Sequence, residues 1–360
     1  MDFNLTEDQK ELEGLAAELL AREAAPERLD AHDRSAAGYD IAAWKALAQA
    51  GLLGIALPEE AGGAGLGAVE LAVVLRAIGA HVAPVPAYAS LALAGVTIGK
   101  HGGPAHRALL TPLAEGEAVL TGALREPGDG VETTARDDNG GHLLNGVKTF
   151  VPYAAEASHI LVPARTDQGI AVFLVRTDQV ELTPQPASTG EPMSRLALRD
   201  VRVTPQDRLA DGAWDTLRRT AVAGAVATVS GVIDGALKLT TEYVKTREQF
   251  ERALAQFQAV TMQIGDVYIA KRALDVAVWA AVWRLDEGAD DVDEVLDIAA
   301  WGAADPVVKA LYTCQHLHGG IGLDVTYPLH RYFAWAKHYG HLLGGAEAQL
   351  DALGAHLIGS

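Results

Sequence analysis

Tyr243-Val244-Lys245-Thr246-Arg247-Glu248-Gln249-Phe250 closes a long segment, Leu217–Val244, in which Ala221, Ala225, Val229 and Ile233 recur at four-residue spacing. Small residues at that interval form one helix face suited to close packing against another helix. Phe257-Gln258 follows, and the apolar pattern continues through Gln256–Glu287, then Asp291–His318, then His341–Leu357. Four long helical segments over residues 212–360 predict a helix bundle.

Upstream the texture changes. Between residues 119 and 211, short β-rich runs occur at Val119–Leu124, His142–Leu144, Val147–Val151, Ile160–Val162, Ile170–Val175 and Val201–Val203. They are separated by turn-forming clusters such as Asp137–Gly141 and Pro184–Pro192. Short strands without intervening helices predict a small antiparallel barrel or sandwich, not a parallel nucleotide-binding sheet. Residues 1–118 read as helical again: Thr6 and Gln9 have capping-box spacing, and Leu12, Leu15, Ala16, Leu19 and Leu20 recur at helical intervals. A second helix includes Trp44, Leu47 and Ala48, and the glycines 62, 63, 65 and 67 mark a turn before the apolar helix Ala68–Ile78. That glycine-rich turn has no Lys and no preceding strand, so it reads as an interhelical connection, not a phosphate cradle. The expected class is α+β multidomain: an N-terminal α-helical domain, a β-domain and a C-terminal four-helix bundle.

Composition narrows the function. The net charge of -18 argues against a nucleic-acid backbone as partner. No uninterrupted apolar run approaches the roughly 20 residues that span a bilayer. Asp2, Asn4, Glu7 and Asp8 do not resemble a signal peptide, and a cytoplasmic location is expected. The single cysteine, Cys314, excludes an intrachain disulfide framework and reads as a small buried core residue.

Four local stretches, in order, resemble the acyl-CoA dehydrogenase family. They are Gly54-Ile55-Ala56-Leu57-Pro58-Glu59-Glu60 with Gly62-Gly63, Leu143-Leu144-Asn145-Gly146-Val147-Lys148, the Tyr243–Phe250 run with Phe257-Gln258, and His318-Gly319-Gly320-Ile321-Gly322 with Tyr327-Pro328. The resemblance covers the whole chain and implies FAD bound at a subunit interface, with oxidation of an acyl-CoA thioester to its 2,3-enoyl form. In that chemistry a desolvated carboxylate removes the α-proton while a β-hydride goes to the flavin, which supplies an acceptor that side chains cannot. In the family one subunit's β-domain holds the flavin ring, and a neighbour's helices reach the pyrophosphate and adenosine. The residues here that match the neighbour's part are Arg247, Phe250, Gln258, Gly319 and Gly320, with His316 where the family usually has Gln. Arg suits a bidentate bond to pyrophosphate, an aromatic ring offers a face, and glycines admit close backbone approach. Taken singly, Arg247 also reads as a solvated helix cap, Phe250 as core and Gly319-Gly320 as a helix stop; their joint order and spacing favour FAD contact.

The other half of the family pattern departs. Where the family has Thr-Glu-Pro and then Ser-Asp, this chain has Leu124-Arg125-Glu126-Pro127-Gly128-Asp129-Gly130-Val131. Where it has Trp-Ile-Thr, with the Thr bonding the flavin near N5, this chain has Phe150-Val151-Pro152, and proline has neither hydroxyl nor N–H. The two family positions for the base fall at Leu343 and at Ala221, 26 residues before Arg247, and neither accepts a proton. Glu347 is the one nearby carboxylate, and it reads as an exposed helix-start residue.

Loss of ring pocket and base, with the partner-facing groups kept, resembles the base-lacking subunits of heterotetrameric (α2β2) actinobacterial steroid-CoA dehydrogenases. This implies no catalytic residue in the chain itself and a paralogous subunit that carries the Glu. It also implies an acyl-CoA substrate with electron-transfer flavoprotein as acceptor. Three rivals stand beside it: a homotetrameric dehydrogenase using Glu347, a flavin-dependent monooxygenase on the same fold, and a non-enzymatic scaffold.

Overall fold

Thr6 opens the first helix through a two-way capping box: its hydroxyl accepts from Gln9 N, and Gln9 Oε1 accepts from Thr6 N. The computed structural model describes residues 4–128 and 130–359. Asp2, part of the N-terminal reading, and Asp129, in the Leu124–Val131 run, lie outside the described residues. In chain order the helices begin with α1 (Glu7–Glu23), α2 (Pro26–Asp33), α3 (Ile41–Gln49) and α4 (Ala68–His81). A π-helical segment, Tyr88–Gly95, runs into α5 (Val96–His101), followed by the short α6 (Pro104–Arg107) and α7 (Leu110–Ala114).

The β-region contains β1 (Leu120–Gly122), β2 (Thr134–Asp138), β3 (Gly141–Pro152), β4 (His159–Thr166), β5 (Gly169–Arg176), β6 (Glu181–Gln185) and β7 (Met193–Val203). They form one sheet in the order β1-β4-β2-β3-β7-β6, with β5 paired to β4. Most pairs are antiparallel, as the β-domain reading expected, and β1 and β2 each run parallel to β4. Two of the six anticipated runs, His142–Leu144 and Val147–Val151, are one strand, because Asn145-Gly146 forms a register shift against β7 instead of a turn. Two strands went unanticipated for physical reasons. β2 reads Thr-Ala-Arg-Asp-Asp with one buried residue, and β6 is an edge strand whose Pro184 is tolerated there. The buried faces of β3, β4, β5 and β7 meet in a cluster around Leu144, Ile160, Val162, Phe173, Leu196 and Leu198.

The chain then returns to helix: α8 (Ala213–Thr246), the two-residue strands β8 (Glu248–Gln249) and β9 (Arg252–Ala253), then α9 (Gln258–Glu287), α10 (Val292–Ala304), α11 (Pro306–His318), α12 (Leu329–Leu342) and α13 (Gly345–Gly359). The anticipated helix Asp291–His318 is two helices, because Pro306 has no N–H to continue the ladder and starts α11 as its first residue. The helix Leu329–Leu342 was not anticipated: its aromatic- and His-rich sequence hides the apolar period. α8 is long and apolar enough to cross a membrane, yet 83% of its most apolar window is buried within the protein, as expected of a core helix. Ala221, Ala225, Val229 and Ile233 are all buried, as their spacing suggested.

Two compact units result. One comprises the segment to Glu27, Ala72–Ala83 and the segment from Val222; the other comprises Arg28–Leu71 and Pro84–Ala221. In the first, α4 and α8 cross so closely that a Cβ on Gly79 would strike the Thr228 carbonyl and one on Gly231 the Arg76 carbonyl. Only glycine admits that approach. Asp275 of α9 is buried in the same unit, with Ser230 Oγ donating to it at 2.7 Å and Lys271 at 3.1 Å, Arg272 at 3.4 Å and Arg76 at 3.6 Å around it. Cys314 is fully buried, and burial pushes its thiol up to about 11, which fits the core reading.

Candidate functional site

The last turn of α8 carries Tyr243, and Arg247 follows it by one turn, with Arg247 N–H donating to the Tyr243 carbonyl at 2.8 Å. The Arg247 carbonyl in turn accepts from Leu254 N at 2.9 Å, closing the β8–β9 hairpin. Phe250 and Glu251 form the tip, both with left-handed backbone (φ 53° and 64°). A two-residue turn with both residues left-handed normally takes Asn and Gly, so this tip holds a bulky aromatic in an unfavoured conformation. Its side chain is 87% exposed, which removes the core reading of Phe250. Phe250 meets Phe257 edge to face at 6.4 Å, and the Arg252 guanidinium lies 3.8 Å over the Phe257 ring. Gln258 is the exposed first residue of α9.

α11 ends at His318, and Gly319 (φ 61°) turns the chain into the short 3-10 segment Gly319–Leu323. The Tyr243 ring stacks on His318 at 4.3 Å, which brings the end of α8 to the end of α11. The structure thus joins Arg247 to the Gly319–Gly320 turn through Tyr243, and Phe250 to Gln258 through Phe257. His316, two residues before His318, is exposed on α11.

These groups fit a bound dinucleotide. Arg247 is exposed and makes no ion pair among the described residues. A Cβ added at Gly319 or Gly320 would meet nothing within 4 Å, so the backbone there is open to a ligand. The Gly319 N–H is used by the His316 carbonyl, so the planar guanidinium and the close backbone approach at Gly320 are what suit phosphate oxygens.

The β-domain motifs offer less. The Pro152 carbonyl accepts from Thr121 Oγ1 at 2.7 Å, and the residue has no N–H to give. Phe150 has left-handed backbone (φ 51°), and its N–H is used by Gln185 Oε1 at 2.7 Å. Glu126 is taken up by a buried pair with Lys148. Pro152 thus has neither the hydroxyl nor the N–H that a Thr would offer there, and the Phe150 N–H is already used. Where the family resemblance places the base, Leu343 caps α12 and Ala221 is buried, its carbonyl accepting from Tyr88 OH at 3.3 Å. Glu347 is exposed in the first turn of α13.

Sequence reasoning missed three features. The Leu143–Lys148 motif by itself gives Lys148 no role, although the alternation that buries Leu144 also points Lys148 inward. The partners Tyr243, His318 and Tyr327 had no signal beyond motif membership. Met262, Ile269, Val276 and Trp283 lie at seven-residue intervals along α9 and are 42–65% exposed. That regularity was visible in the sequence and marks an unpartnered apolar seam.

Comparisons with known proteins agree with this geometry. The acyl-CoA dehydrogenase N-terminal, middle and C-terminal domains match residues 6–117, 126–204 and 216–358. The chain belongs to the acyl-CoA dehydrogenase family. It is 35% identical over 356 residues to the acyl-CoA dehydrogenase FadE28 of Mycobacterium tuberculosis, covering 99% of this chain and 98% of that one. Among solved structures it is similar to a chain of the Tcur3481-Tcur3483 steroid ACAD, with 40% identity, a TM-score of 0.93 and coverage of 98% and 99%. It is also similar to a chain of the ChsE4-ChsE5 complex from Mycobacterium tuberculosis, with 33% identity, a TM-score of 0.95 and full coverage of both.

Proposed function

We propose that this chain is one subunit of a heteromeric, FAD-dependent acyl-CoA dehydrogenase, and that it serves a flavin whose ring and catalytic base belong to a paralogous subunit. The observation that carries this reading is the contrast between two sets of groups. Arg247, Phe250, Gln258, His316, Gly319 and Gly320 are exposed and open to a ligand, whereas Phe150 and Pro152 have their polar groups used internally or missing. The similarity to chains of two heteromeric complexes supports it.

FAD, when bound, supplies the hydride acceptor for 2,3-desaturation. Arg247 would pair with the pyrophosphate, Phe250 would present an aromatic face, Gln258 and His316 would hydrogen-bond polar edges, and Gly319-Gly320 would admit the backbone close to the dinucleotide. This chain removes no proton: Leu343 and Ala221 stand at the base positions, so α-proton abstraction falls to the partner's carboxylate. The substrate is an acyl-CoA, a steroid side-chain CoA by similarity to the steroid ACAD, with electron-transfer flavoprotein as the acceptor and the cytoplasm as the location. The Met262–Trp283 seam is the surface on which the paralogous subunit docks.

The test is flavin stoichiometry in the co-purified complex. One FAD per heterodimer is expected, with turnover abolished by replacing the partner's catalytic Glu and retained in Glu347→Gln of this chain. One FAD for every chain, loss of turnover in Glu347→Gln with FAD retained, or an active yellow homotetramer of this chain alone would overturn the proposal.

A further inference from the structure

Directly before the open Gly319–Gly320 turn lies a side chain whose every polar atom is committed. His318 is 3% exposed. Its Nδ1 is 2.8 Å from the Cys314 carbonyl, and a carbonyl only accepts, so Nδ1 carries the proton. In the neutral ring Nε2 is then an acceptor, and Tyr327 OH lies 3.2 Å from it as donor. Burial lowers the His318 pKa, in keeping with the neutral ring. Above the ring, Tyr243 stacks with an interplanar angle of 22° and donates its own hydroxyl to the His318 carbonyl at 3.3 Å. The turn is anchored beyond the glycines as well: Gln315 Nε2 donates to the Gly322 carbonyl at 3.2 Å, and a Cβ on Gly322 would strike the Gln315 carbonyl.

We infer that the Tyr243–His318–Tyr327 stack is a positioning device that holds Arg247 and the Gly319–Gly320 turn in register for the dinucleotide. The inference rests on the reading that these groups contact FAD. Its geometry goes beyond that reading, because none of the three rings is itself assigned to touch the cofactor. Tyr243 sits on α8 one turn before Arg247, Tyr327 sits beyond the 3-10 segment, and His318 is the group both rings contact. Between these anchors the two glycines are exposed and carry no side chain to fix them, and Gly319 N–H donates back to the His316 carbonyl at the end of α11. Their pose is therefore set by what holds the two ends. Removal of the Tyr327 hydroxyl leaves Nε2 buried without a donor and frees the turn at its far side, while the ring still packs.

The experiment titrates FAD into flavin-stripped complex and compares Tyr327→Phe, His318→Leu, His318→Asn and Arg247→Ala, with the thermal midpoint of each complex recorded. Tyr327→Phe is expected to weaken FAD binding about tenfold and to lower the midpoint only by the modest amount that one lost buried hydrogen bond costs, less than His318→Leu does. His318→Asn, which keeps a donor for the Cys314 carbonyl, should bind FAD better than His318→Leu. If Arg247→Ala weakens binding while Tyr327→Phe and His318→Leu bind as the wild type, the positioning inference fails and the FAD reading stands. If none of the four weakens binding, the FAD reading falls and takes this inference with it. Equal weakening by His318→Asn and His318→Leu, tracking loss of the thermal midpoint, would reduce the stack to a structural role and also overturn the inference.

Discussion

Lys148 Nζ lies 2.5 Å from Glu126 Oε1, with the two side chains 0% and 3% exposed. The same ammonium donates to the Pro163 carbonyl at 2.7 Å, and the carboxylate accepts from Thr133 N at 2.9 Å and Glu132 N at 3.0 Å. The pair thus ties β3 to β4 and clamps the segment that follows Pro127. Two stretches separate in the sequence, Glu126-Pro127 and Gly146-Val147-Lys148, are two halves of one buried interaction.

Lys148→Met removes one charge and leaves the other buried without a counterion. Such half-pairs cost about 3–5 kcal/mol, whereas replacing both charges is far better tolerated. Chemical denaturation should therefore show Lys148→Met strongly destabilised and Lys148→Met/Glu126→Gln largely recovered. A double variant as unstable as the single one would show that the charges do not act as a pair.

How much of this was legible in advance follows from the signal each element carries. Small residues at four-residue spacing in α8 and the Thr6–Gln9 box are local patterns, and both are seen as read. β2 and β6 escaped because one is charged and the other carries Pro184, so neither shows alternation. The parallel pairing of β1 and β2 with β4 depends on chain topology, which no single strand encodes. At the site, Arg247, Phe250 and Gly319 were legible as a set only through motif order. The left-handed Phe250–Glu251 tip was not, because its sequence lacks the Asn and Gly that normally announce such a turn.

The buried Asp275 gives a prediction with a pH sign. Burial alone would lower the Lys271 pKa, but the hydrogen bond to Asp234 and the charges of Asp275 and Asp234 outweigh it and raise it. A raised folded-state pKa contributes stability that is present below the unfolded value, about 10.4, and is lost as pH rises through the folded value. Lys271→Arg, which does not titrate there, should lose less stability than the wild type as pH rises above about 10.4 in denaturant melts. Parallel pH profiles would remove Lys271 from the account. Asp275→Ala leaves Arg76, Lys271 and Arg272 around an empty site and should cost about 3–5 kcal/mol at neutral pH.

Arg247 separates charge from geometry. Arg247→Ala is expected to lower the FAD retained by the purified complex, since phosphate charge loses its partner. Arg247→Lys should restore part of it, because Lys keeps the charge but lacks the planar fork. Absorbance at the flavin band per mole of protein measures both. Unchanged flavin content in Arg247→Ala would remove Arg247 from the site.

The apolar seam on α9 predicts how the assembly fails. Met262, Ile269, Val276 and Trp283 span three seven-residue steps, about 30 Å of helix at 1.5 Å per residue. A seven-residue repeat drifts only about 20° per step, so the four side chains stay on one side of the helix. The opposite face, with Val267, Leu274, Val278 and Val282, is buried within the protein, so the helix is apolar on both faces and only one is covered. A soluble monomer has no use for a second apolar stripe, whereas a subunit interface does. Ile269→Asp places a charge in the middle of the seam and should dissociate the complex, read as a fall in mass by light scattering. Asp on an exposed position leaves the subunit's own fold intact, so its circular dichroism and melting of the isolated unit should be unchanged. FAD should be lost together with the partner, because on the proposed reading the ring pocket belongs to that partner. A complex of unaltered mass and flavin content in Ile269→Asp would place the interface elsewhere.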